Sequence, residues 1–404
     1  MFVGYTKISK FNQYSLHLIK FAIMDTPHKE RIIWYDVVRL LAMYLLVCCH
    51  SADPFNYALE GSPMIADVKF WGALWGSMMR PCVPLFVMLT GALLLPQQGS
   101  VGPFYKKRIS RVFWPFLIWS VIYCLFPVFL KLLGGGPQTV RDFIPYADED
   151  FLAQSLPLSL KHIARIPLNF SSMDVHMWYI YLIIGLYLYI PIFSAWVEKA
   201  SRKAKRWFLI AWGITLVLPY YNYYIDPYLW GSCAWNQFGA LYYFAGFNGY
   251  LLLGHYLKDA EWSLGKTLLL GVPMFAVGYF TTFLGFRHMT GIPGFTEPMA
   301  ELFWTFNSFN VVLMVIPLFM ICKKVKVKNE RIKAMLADLT KCGFGIYMIH
   351  YLLIGPGILL MRALHIPLGM QIPVGAICAL AASWTIVTIA HRILPSKAAR
   401  VIFG

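Results

Sequence analysis

Long apolar runs are the feature that most constrains the fold of this chain. Ten of them approach the roughly 20 residues that an α-helix needs to cross about 30 Å of hydrocarbon. Only 13% of the 404 residues are charged, about half the share in a typical soluble chain. We therefore predict an all-α polytopic transmembrane helical bundle of about ten spans. The predicted spans are 34–53, 70–95, 112–133, 177–197, 207–225, 237–257, 264–285, 301–321, 342–361 and 371–394.

The connectors between these spans alternate in charge. Those after spans 2, 4, 6 and 8 are rich in lysine and arginine, for example Lys203 and Lys324, whereas the others hold more acids, for example Asp53 and Glu60. Cytoplasmic loops of membrane proteins are enriched in basic residues, so both termini are predicted to be cytoplasmic. The net charge of +16 has the same origin, and no nucleic-acid partner is expected.

The predicted domain organisation is a cytoplasmic N-terminal segment (1–33), a transmembrane domain (34–397) and a cytoplasmic tail (398–404). The first 23 residues are basic and hold no acid, which is typical of an amphipathic surface segment or a weak targeting signal. In the alternative interpretation, Met24 is the true start. The longest external connector, about 134–175, is expected to cover the outer face.

Several kinds of catalytic motif are missing from the sequence. The eight cysteines are scattered without a CxxC pair, so neither a disulfide framework nor a metal site is predicted. No nucleophile elbow, P-loop, HExxH helix or dinucleotide fingerprint occurs. If the chain is an enzyme, its chemistry relies on histidine and arginine within the bundle.

Span 1 carries a polar stripe, and polar residues inside spans are functional candidates because lipid makes them costly. Asp36 and Arg39 are three residues apart and are predicted to pair. Arg39 and His50 are eleven apart, so they project from one helix face about 16 Å apart along the axis. The alternative is that Arg39 reaches the inner headgroups while His50 sits near the outer interface.

Three further groups of residues are candidates for a site. Lys107, Arg108 and Arg111 form a basic cluster at the entrance of span 3, and arginine suits phosphates by its geometry; the alternative is an ordinary cytoplasmic anchor. Tyr347 and His350 share a face of span 9, where a helix–helix hydrogen bond is the alternative role. His176 and Trp178 open span 4, where an interfacial tryptophan belt is the alternative.

Taken in chain order, these motifs resemble the acyltransferase-3 family of bacterial membrane acyltransferases, which acylate surface carbohydrates and other envelope molecules. The family hallmark is an arginine, ten residues and a histidine on the first span. A second block ends in Phe–Ser–Gly, and here a threonine replaces the serine. The matching positions are Arg39 with His50, Phe86 with Thr90 and Gly91, Arg108 with Arg111, His176 with Trp178, and Tyr347 with His350.

The resemblance implies a membrane O-acyltransferase that moves an acyl group, expected to be acetyl, from acyl-CoA to a hydroxyl of a cell-surface or lipid-linked carbohydrate. It places the protein in the bacterial inner (cytoplasmic) membrane, with lipid around it and acetyl-CoA as donor rather than a permanently bound cofactor. His50 is expected to act as general base or acyl carrier, with Arg39 and Asp36. The CoA phosphates are expected at Lys107, Arg108 and Arg111, and the acceptor at Tyr347, His350, His176 and Trp178.

Some relatives carry an additional extracytoplasmic hydrolase-like domain, which we do not expect in this protein. The resemblance therefore implies a stand-alone member that reaches its acceptor directly or passes the acyl group to a partner protein of envelope biosynthesis. Two functions of other classes remain open from the sequence. One is a secondary transporter of a polar solute, and the other is a non-catalytic membrane component of an envelope-synthesis complex.

Overall fold

The computed structural model describes residues 31–56 and 66–404. The predictions for the first 30 residues, including a start at Met24, lie outside the described residues, as does Glu60. Trp34–Gly404 forms one compact unit, and Arg31–Ile33 belong to a separate N-terminal unit. Within the described residues the regular secondary structure is helical, with one isolated bridge between Cys233 and Asn236. The prediction of an all-α fold is confirmed.

The helices are numbered here in chain order. The first eight are α1 (Ile33–Ala52), α2 (Ala66–Met79), α3 (Cys82–Leu94), α4 (Val101–Leu132), α5 (Pro137–Phe143), α6 (Glu149–Leu152), α7 (Leu156–Arg165) and α8 (Trp178–Lys199). The remainder are α9 (Arg202–Thr215), α10 (Leu218–Tyr224), α11 (Asn248–Lys258), α12 (Leu264–Thr290), α13 (Glu297–Glu301), α14 (Phe309–Cys322), α15 (Glu330–Ala363), α16 (Leu368–Ile393) and α17 (Ser396–Phe403). Short 3₁₀ turns cover Asp53–Phe55, Val175–Met177, Leu229–Gly231 and Gly239–Phe244.

Seven segments within the described residues are long and apolar enough to cross a membrane. They are Ile33–Phe55, Ala66–Leu94, Val101–Leu132, Val175–Lys199, Leu264–Thr290, Glu330–Ala363 and Leu368–Ile393. Each coincides with a predicted span, so a multi-pass membrane architecture is confirmed. The total of ten spans and the orientation of the termini stay predictions.

The other three predicted spans contain shorter helices. The run 207–225 is divided between α9 and α10, and Pro219 lies in the first turn of α10, where its missing N–H is tolerated. The run 237–257 begins in a 3₁₀ turn, and α11 is only 11 residues long. In the run 301–321, α14 begins only at Phe309. A hydropathy pattern does not reveal such breaks because the residues around them remain apolar.

Polar caps define where several helices begin. Ser201, Ser263 and Asn329 precede α9, α12 and α15, and each side chain accepts a hydrogen bond from a backbone N–H of the first turn. Such caps satisfy N–H groups that have no partner within the helix. All three lie in or next to the basic connectors, so α9, α12 and α15 begin where the sequence predicts connectors between spans.

The core is built around α1, whose Val38, Ala42, Val47 and Cys48 are fully buried. Its neighbours include α3, which crosses α11 at very short range. A Cβ atom added at Gly91 of α3 would lie 1.9 Å from the carbonyl oxygen of Leu251. Small residues at such a crossing let two backbones approach closely.

The connector after α4 folds into the three short helices α5, α6 and α7. The Gln154 side chain donates to the carbonyl oxygens of Pro127 and Gly135 at 3.0 and 3.1 Å, which fastens the connector to the end of α4. His162 of α7 lies 3.0 Å from the Asp150 carboxylate, and this hydrogen bond lowers the pKa of Asp150. The connector is therefore an ordered cap on one end of the bundle.

Candidate active site

Three imidazole rings from distant parts of the chain meet inside the bundle. His50 comes from α1, His176 from the 3₁₀ turn before α8, and His350 from α15. The ring centroids are 5.5 Å apart for His50 and His350, 5.3 Å for His176 and His350, and 6.3 Å for His50 and His176. We refer to these residues as the histidine cluster. Three of the residues predicted for the site are thus brought together.

His50 is paired with a carboxylate. Its Nδ1 lies 3.0 Å from Oδ2 of Asp53, which belongs to the 3₁₀ turn directly after α1. An ionised carboxylate only accepts hydrogen bonds, so this contact assigns the ring proton to Nδ1. The Nε2 atom of His50 then carries the lone pair, which is the arrangement of an imidazole that serves as a general base.

His350 is fully buried behind His50. Its Nδ1 lies 2.7 Å from the carbonyl oxygen of Tyr347, one turn earlier in α15. A carbonyl accepts and never donates, so Nδ1 carries the ring proton here as well. Within the described residues its Nε2 has no hydrogen-bond partner. A buried ring nitrogen of this kind is a position for a ligand hydroxyl or a water molecule.

Tyrosines hold the histidine cluster from three sides. The Tyr347 hydroxyl donates to the backbone carbonyl oxygen of His176 at 2.5 Å, and the Tyr351 ring stacks on the His176 ring at 4.7 Å. The ring centroid of Tyr123 in α4 lies 5.2 Å from that of His176, and the Tyr123 hydroxyl donates to the Met348 carbonyl oxygen at 2.8 Å. The position of His176 is therefore fixed by packing against α4 and α15.

Asp174 shapes the turn that leads into His176. Its carboxylate accepts hydrogen bonds from the backbone N–H and the hydroxyl of Ser171, at 2.7 and 2.5 Å. Burial raises the pKa of Asp174, and the hydrogen bonds from Ser171 oppose that rise. We infer that Asp174 has a structural task, because its carboxylate is occupied by this turn.

Asp36 and Arg39 form the ion pair predicted from their spacing. Arg39 Nη1 lies 3.4 Å from Oδ1 of Asp36, and Asp36 is buried. Fourteen residues separate Asp36 from His50, which corresponds to about 21 Å along a helix. The structure thus places Asp36 with Arg39 and apart from the histidine cluster, where the carboxylate is that of Asp53.

One tyrosine of α8 has the two arginines predicted for the donor site within electrostatic range, together with Arg39. The tyrosine is Tyr187, and the two arginines are Arg108 and Arg111. Lys107 and Arg111 are both exposed on α4. Guanidinium groups that lie near one another are suited to phosphate oxygens.

Trp178 faces another part of the bundle. Its ring stacks on Phe306 with centroids 5.6 Å apart and 18° between the planes. This stacking is a packing contact, and the ring contacts of Trp178 are with Tyr179 and Phe306 and not with the histidine cluster. Among the residues that the structure describes, no three histidine, cysteine or acidic side chains are arranged to hold a metal ion.

Sequence reasoning missed two charged residues of this region. The charge pattern assigns Asp53 to a connector, although its spacing of three from His50 indicates pairing. Arg80 lies inside the apolar run 70–95 and was not singled out, although a charge within a span is itself a signal. It is only 6% exposed.

The family comparison agrees with this architecture. A family model described as an acyltransferase domain matches residues 32–389, nearly the whole chain. No curated protein and no solved structure gives a significant match. The helical bundle and the family match together define a multi-pass membrane acyltransferase. The chain belongs to the acyltransferase-3 family.

Proposed function

We propose that this protein transfers an acetyl group from acetyl-CoA to a hydroxyl of a cell-surface or lipid-linked carbohydrate, in the cytoplasmic membrane. Its membership of an acyltransferase family supplies the reaction class. The observation that carries the proposal is the His50–Asp53 pair, a partly buried imidazole oriented by a carboxylate inside a membrane-spanning bundle. An imidazole oriented by a carboxylate can deprotonate a hydroxyl as a general base.

The proposed reaction has one proton acceptor. His50 Nε2 takes the proton of the acceptor hydroxyl as its oxygen attacks the thioester carbonyl. The new C–O bond forms, the C–S bond breaks, and the imidazolium returns the proton to the departing CoA thiolate. Asp53 holds the tautomer and stabilises the transient imidazolium. In an alternative course, His50 carries the acetyl group itself before it passes to the hydroxyl.

The donor would enter from the end of the bundle that is predicted to be cytoplasmic. Arg108 and Arg111 bind the CoA phosphates, and Arg39 orients the pantetheine arm or the thioester. Arg39 and His50 lie on one face of α1, about 16 Å apart along its axis. An extended arm running beside α1 would bring the thioester to the histidine cluster.

The acceptor would occupy the other side of the histidine cluster. His350 Nε2 offers a buried lone pair to a sugar hydroxyl, and His176 and Tyr347 form the wall beside it. A partner protein of envelope biosynthesis is a further proposed route by which the acceptor is supplied.

The direct test is reconstitution. Purified protein in liposomes is incubated with radiolabelled acetyl-CoA and extracted envelope glycans and glycolipids, and label is measured in the carbohydrate fraction. We expect time-dependent labelling together with release of free CoA. Counterflow of a polar solute without consumption of acetyl-CoA would instead establish a transporter. Product that forms only with a second envelope protein present would indicate a non-catalytic component.

Replacing both Arg108 and Arg111 with glutamine is expected to raise the KM for acetyl-CoA by about tenfold or more, since each guanidinium makes charge-assisted hydrogen bonds to phosphate. The kcat should change little, because these contacts exist in both the ground state and the transition state. Steady-state kinetics of CoA release measures both constants. Arg206→Gln, an exposed arginine of the next basic connector, is the matched control, and an unchanged KM in the double variant would rule out this donor site.

A further inference from the structure

The connector between α10 and α11 is an ordered loop with its own backbone contacts. Cys233 and Asn236 form an antiparallel bridge through two hydrogen bonds of 3.1 and 3.0 Å. Trp230 has a φ of 52°, a left-handed conformation that a bulky residue rarely adopts. The loop packs closely there, since a Cβ atom at Gly239 would lie 2.4 Å from the Trp230 carbonyl oxygen. Strained backbone of this kind is found more often at ligand sites than elsewhere.

This loop and α10 enclose a cavity of about 420 Å³, which we call the loop cavity. Small-molecule sites range from roughly 300 to 1,000 Å³ and combine apolar rings with a few polar groups. The lining of the loop cavity has this composition, and none of the described residues that line it is charged. It includes Asn222, Ser232, Gln237, Tyr228 and Phe238.

One polar atom of the lining has no partner in the protein. The Ser232 hydroxyl donates its single proton to the Gln237 carbonyl oxygen at 2.6 Å, so it accepts from Nδ2 of Asn222 at 3.0 Å. This pair of contacts fixes the orientation of the Asn222 amide. Its Oδ1 is shielded from solvent and has no hydrogen-bond partner among the described residues. Such an acceptor is a position for a donor on a ligand.

The surrounding sequence specifies what kind of ligand fits. Residues 218–244 contain one charged side chain, Asp226, whose carboxylate accepts a hydrogen bond from the N–H of Tyr228 at 2.9 Å. A phosphate or another anion would therefore find no cation here. The free amide oxygen requires a donor such as a hydroxyl, and the aromatic rings offer apolar faces. A neutral sugar supplies both hydroxyl donors and an apolar ring face.

The loop cavity adjoins the end of the bundle at which His176 lies. Trp178, two residues after His176, stacks on Phe306. Tyr220 of α10 packs against Phe303 with ring centroids 5.0 Å apart. Phe303 and Phe306 belong to the one connector between α13 and α14. The start of α8 and α10 therefore contact the same connector.

We propose that the loop cavity binds one neutral pyranose ring of a carbohydrate. Asn222 Oδ1 accepts a hydrogen bond from a sugar hydroxyl, and the Tyr228 ring covers an apolar face of the sugar. On the proposed function, this ring is a distant unit of the acceptor glycan, while another unit is acylated at the histidine cluster. That second statement rests on the proposed function, whereas sugar binding in the loop cavity does not. The acceptor class that follows is a glycan of several neutral units.

The test measures sugar binding without any acetyl-CoA. The full-length protein in nanodiscs is titrated with the methyl α-glycosides of D-glucose, D-galactose, D-mannose and N-acetyl-D-glucosamine, and binding is followed by saturation-transfer difference NMR. We expect at least one of the four to bind to wild type. Asn222→Leu and Tyr228→Ala should each raise its Kd by about fivefold or more, the size of one net hydrogen bond or one ring contact.

A matched control comes from the same loop. Tyr243 is 87% exposed and Tyr228 is 71% exposed, but only Tyr228 lines the cavity, so Tyr243→Ala should leave the Kd unchanged. Tyr228→Ala also serves if Asn222→Leu does not fold, since replacing an exposed ring leaves no buried hole. Failure of all four glycosides to bind to wild type would overturn the proposal. An equal loss of binding in the two tyrosine variants would overturn it too, and would indicate interfacial anchoring of the loop.

The role of the loop cavity in catalysis is tested in the reconstitution assay with extracted envelope glycans. Tyr228→Ala should raise the glycan concentration for half-maximal labelling by about fivefold, with the maximal rate within about twofold of wild type. An unchanged half-maximal concentration would overturn the assignment of the cavity to the acceptor. A failure of the proposed function is distinguishable, because wild type would then bind the glycoside and still transfer no label.

Discussion

Replacing His50 with alanine is expected to lower acyl transfer by about 1,000-fold, within the range of roughly 10² to 10⁴ that a positioned general base contributes. The reason is that Nε2 of His50 is the ring nitrogen left available by the contact between Nδ1 and Asp53. The loss should appear in kcat, with the KM for acetyl-CoA little changed, because the arginines near Tyr187 are untouched. Release of CoA by purified wild type and variant in liposomes measures both.

The chain provides a matched control in a second histidine–aspartate pair. His162 lies 3.0 Å from Asp150, the same distance as in the His50–Asp53 pair, but it belongs to the connector helix α7. His162→Ala should therefore transfer label at the wild-type rate. If His50→Ala transferred as well as wild type, the proposed mechanism would be wrong, whatever the behaviour of the control.

Replacement of Asp53 and replacement of Asp36 are expected to change different kinetic constants. Asp53→Asn removes the group that fixes the His50 tautomer and should lower kcat by about 100-fold, since an amide can reverse the hydrogen bond. Asp36→Asn breaks the ion pair with Arg39 and should act mainly on the KM for acetyl-CoA. The same CoA-release assay separates the two variants. A larger loss of kcat in Asp36→Asn than in Asp53→Asn would support the catalytic role that the sequence predicts for Asp36.

The sequence predicts the long helices well because their length and composition have one physical cause. A run of about 20 apolar residues is stable in lipid only when its backbone hydrogen bonds are satisfied within the helix. The breaks near Pro219 and Gly239 follow from local backbone geometry instead. A hydropathy average does not register one proline or one glycine, so these regions were predicted as complete spans.

Only the part of the site that lies on a single helix is predictable from the sequence pattern. Arg39 and His50 share a face of α1 by spacing alone, and so does the Asp36–Arg39 pair. The meeting of His50 with His176 and His350 depends on tertiary packing, since neither of these histidines has a sequence relation to α1. The family resemblance names all three histidines as site residues, but it does not predict that their rings meet.

Arg80 illustrates a different limit. Its neighbours in the run 70–95 are apolar enough that the whole segment qualifies as a span, and one arginine hardly changes the mean. The environment of its guanidinium is evident only from the contact with Trp304, which lies more than 200 residues away in the sequence. Cation–aromatic contacts of this kind have no signature in sequence spacing.

The second large effect is expected at the crossing of α3 and α11. Gly91→Ala adds a Cβ that would lie 1.9 Å from the Leu251 carbonyl oxygen, and Gly254→Ala adds one that would lie 1.9 Å from the Met88 carbonyl oxygen. Backbone atoms cannot rotate away as a side chain does, so the helices must separate. We expect each variant to destabilise the protein by about 3 kcal/mol or more, measured as a lower Tm and a smaller monodisperse fraction in detergent.

Gly213→Ala is the control, because a Cβ at this helical glycine meets no atom within 4 Å and a helix tolerates alanine better than glycine. Its Tm should equal or exceed that of wild type. The double variant of Gly91 and Gly254 is the sharper test. Once the first methyl group has moved α3 from α11, the second meets less resistance, so the combined loss should be smaller than the sum of the two. Fully additive losses would mean that the two glycines do not share one crossing, and the close packing of α3 against α11 would be wrong.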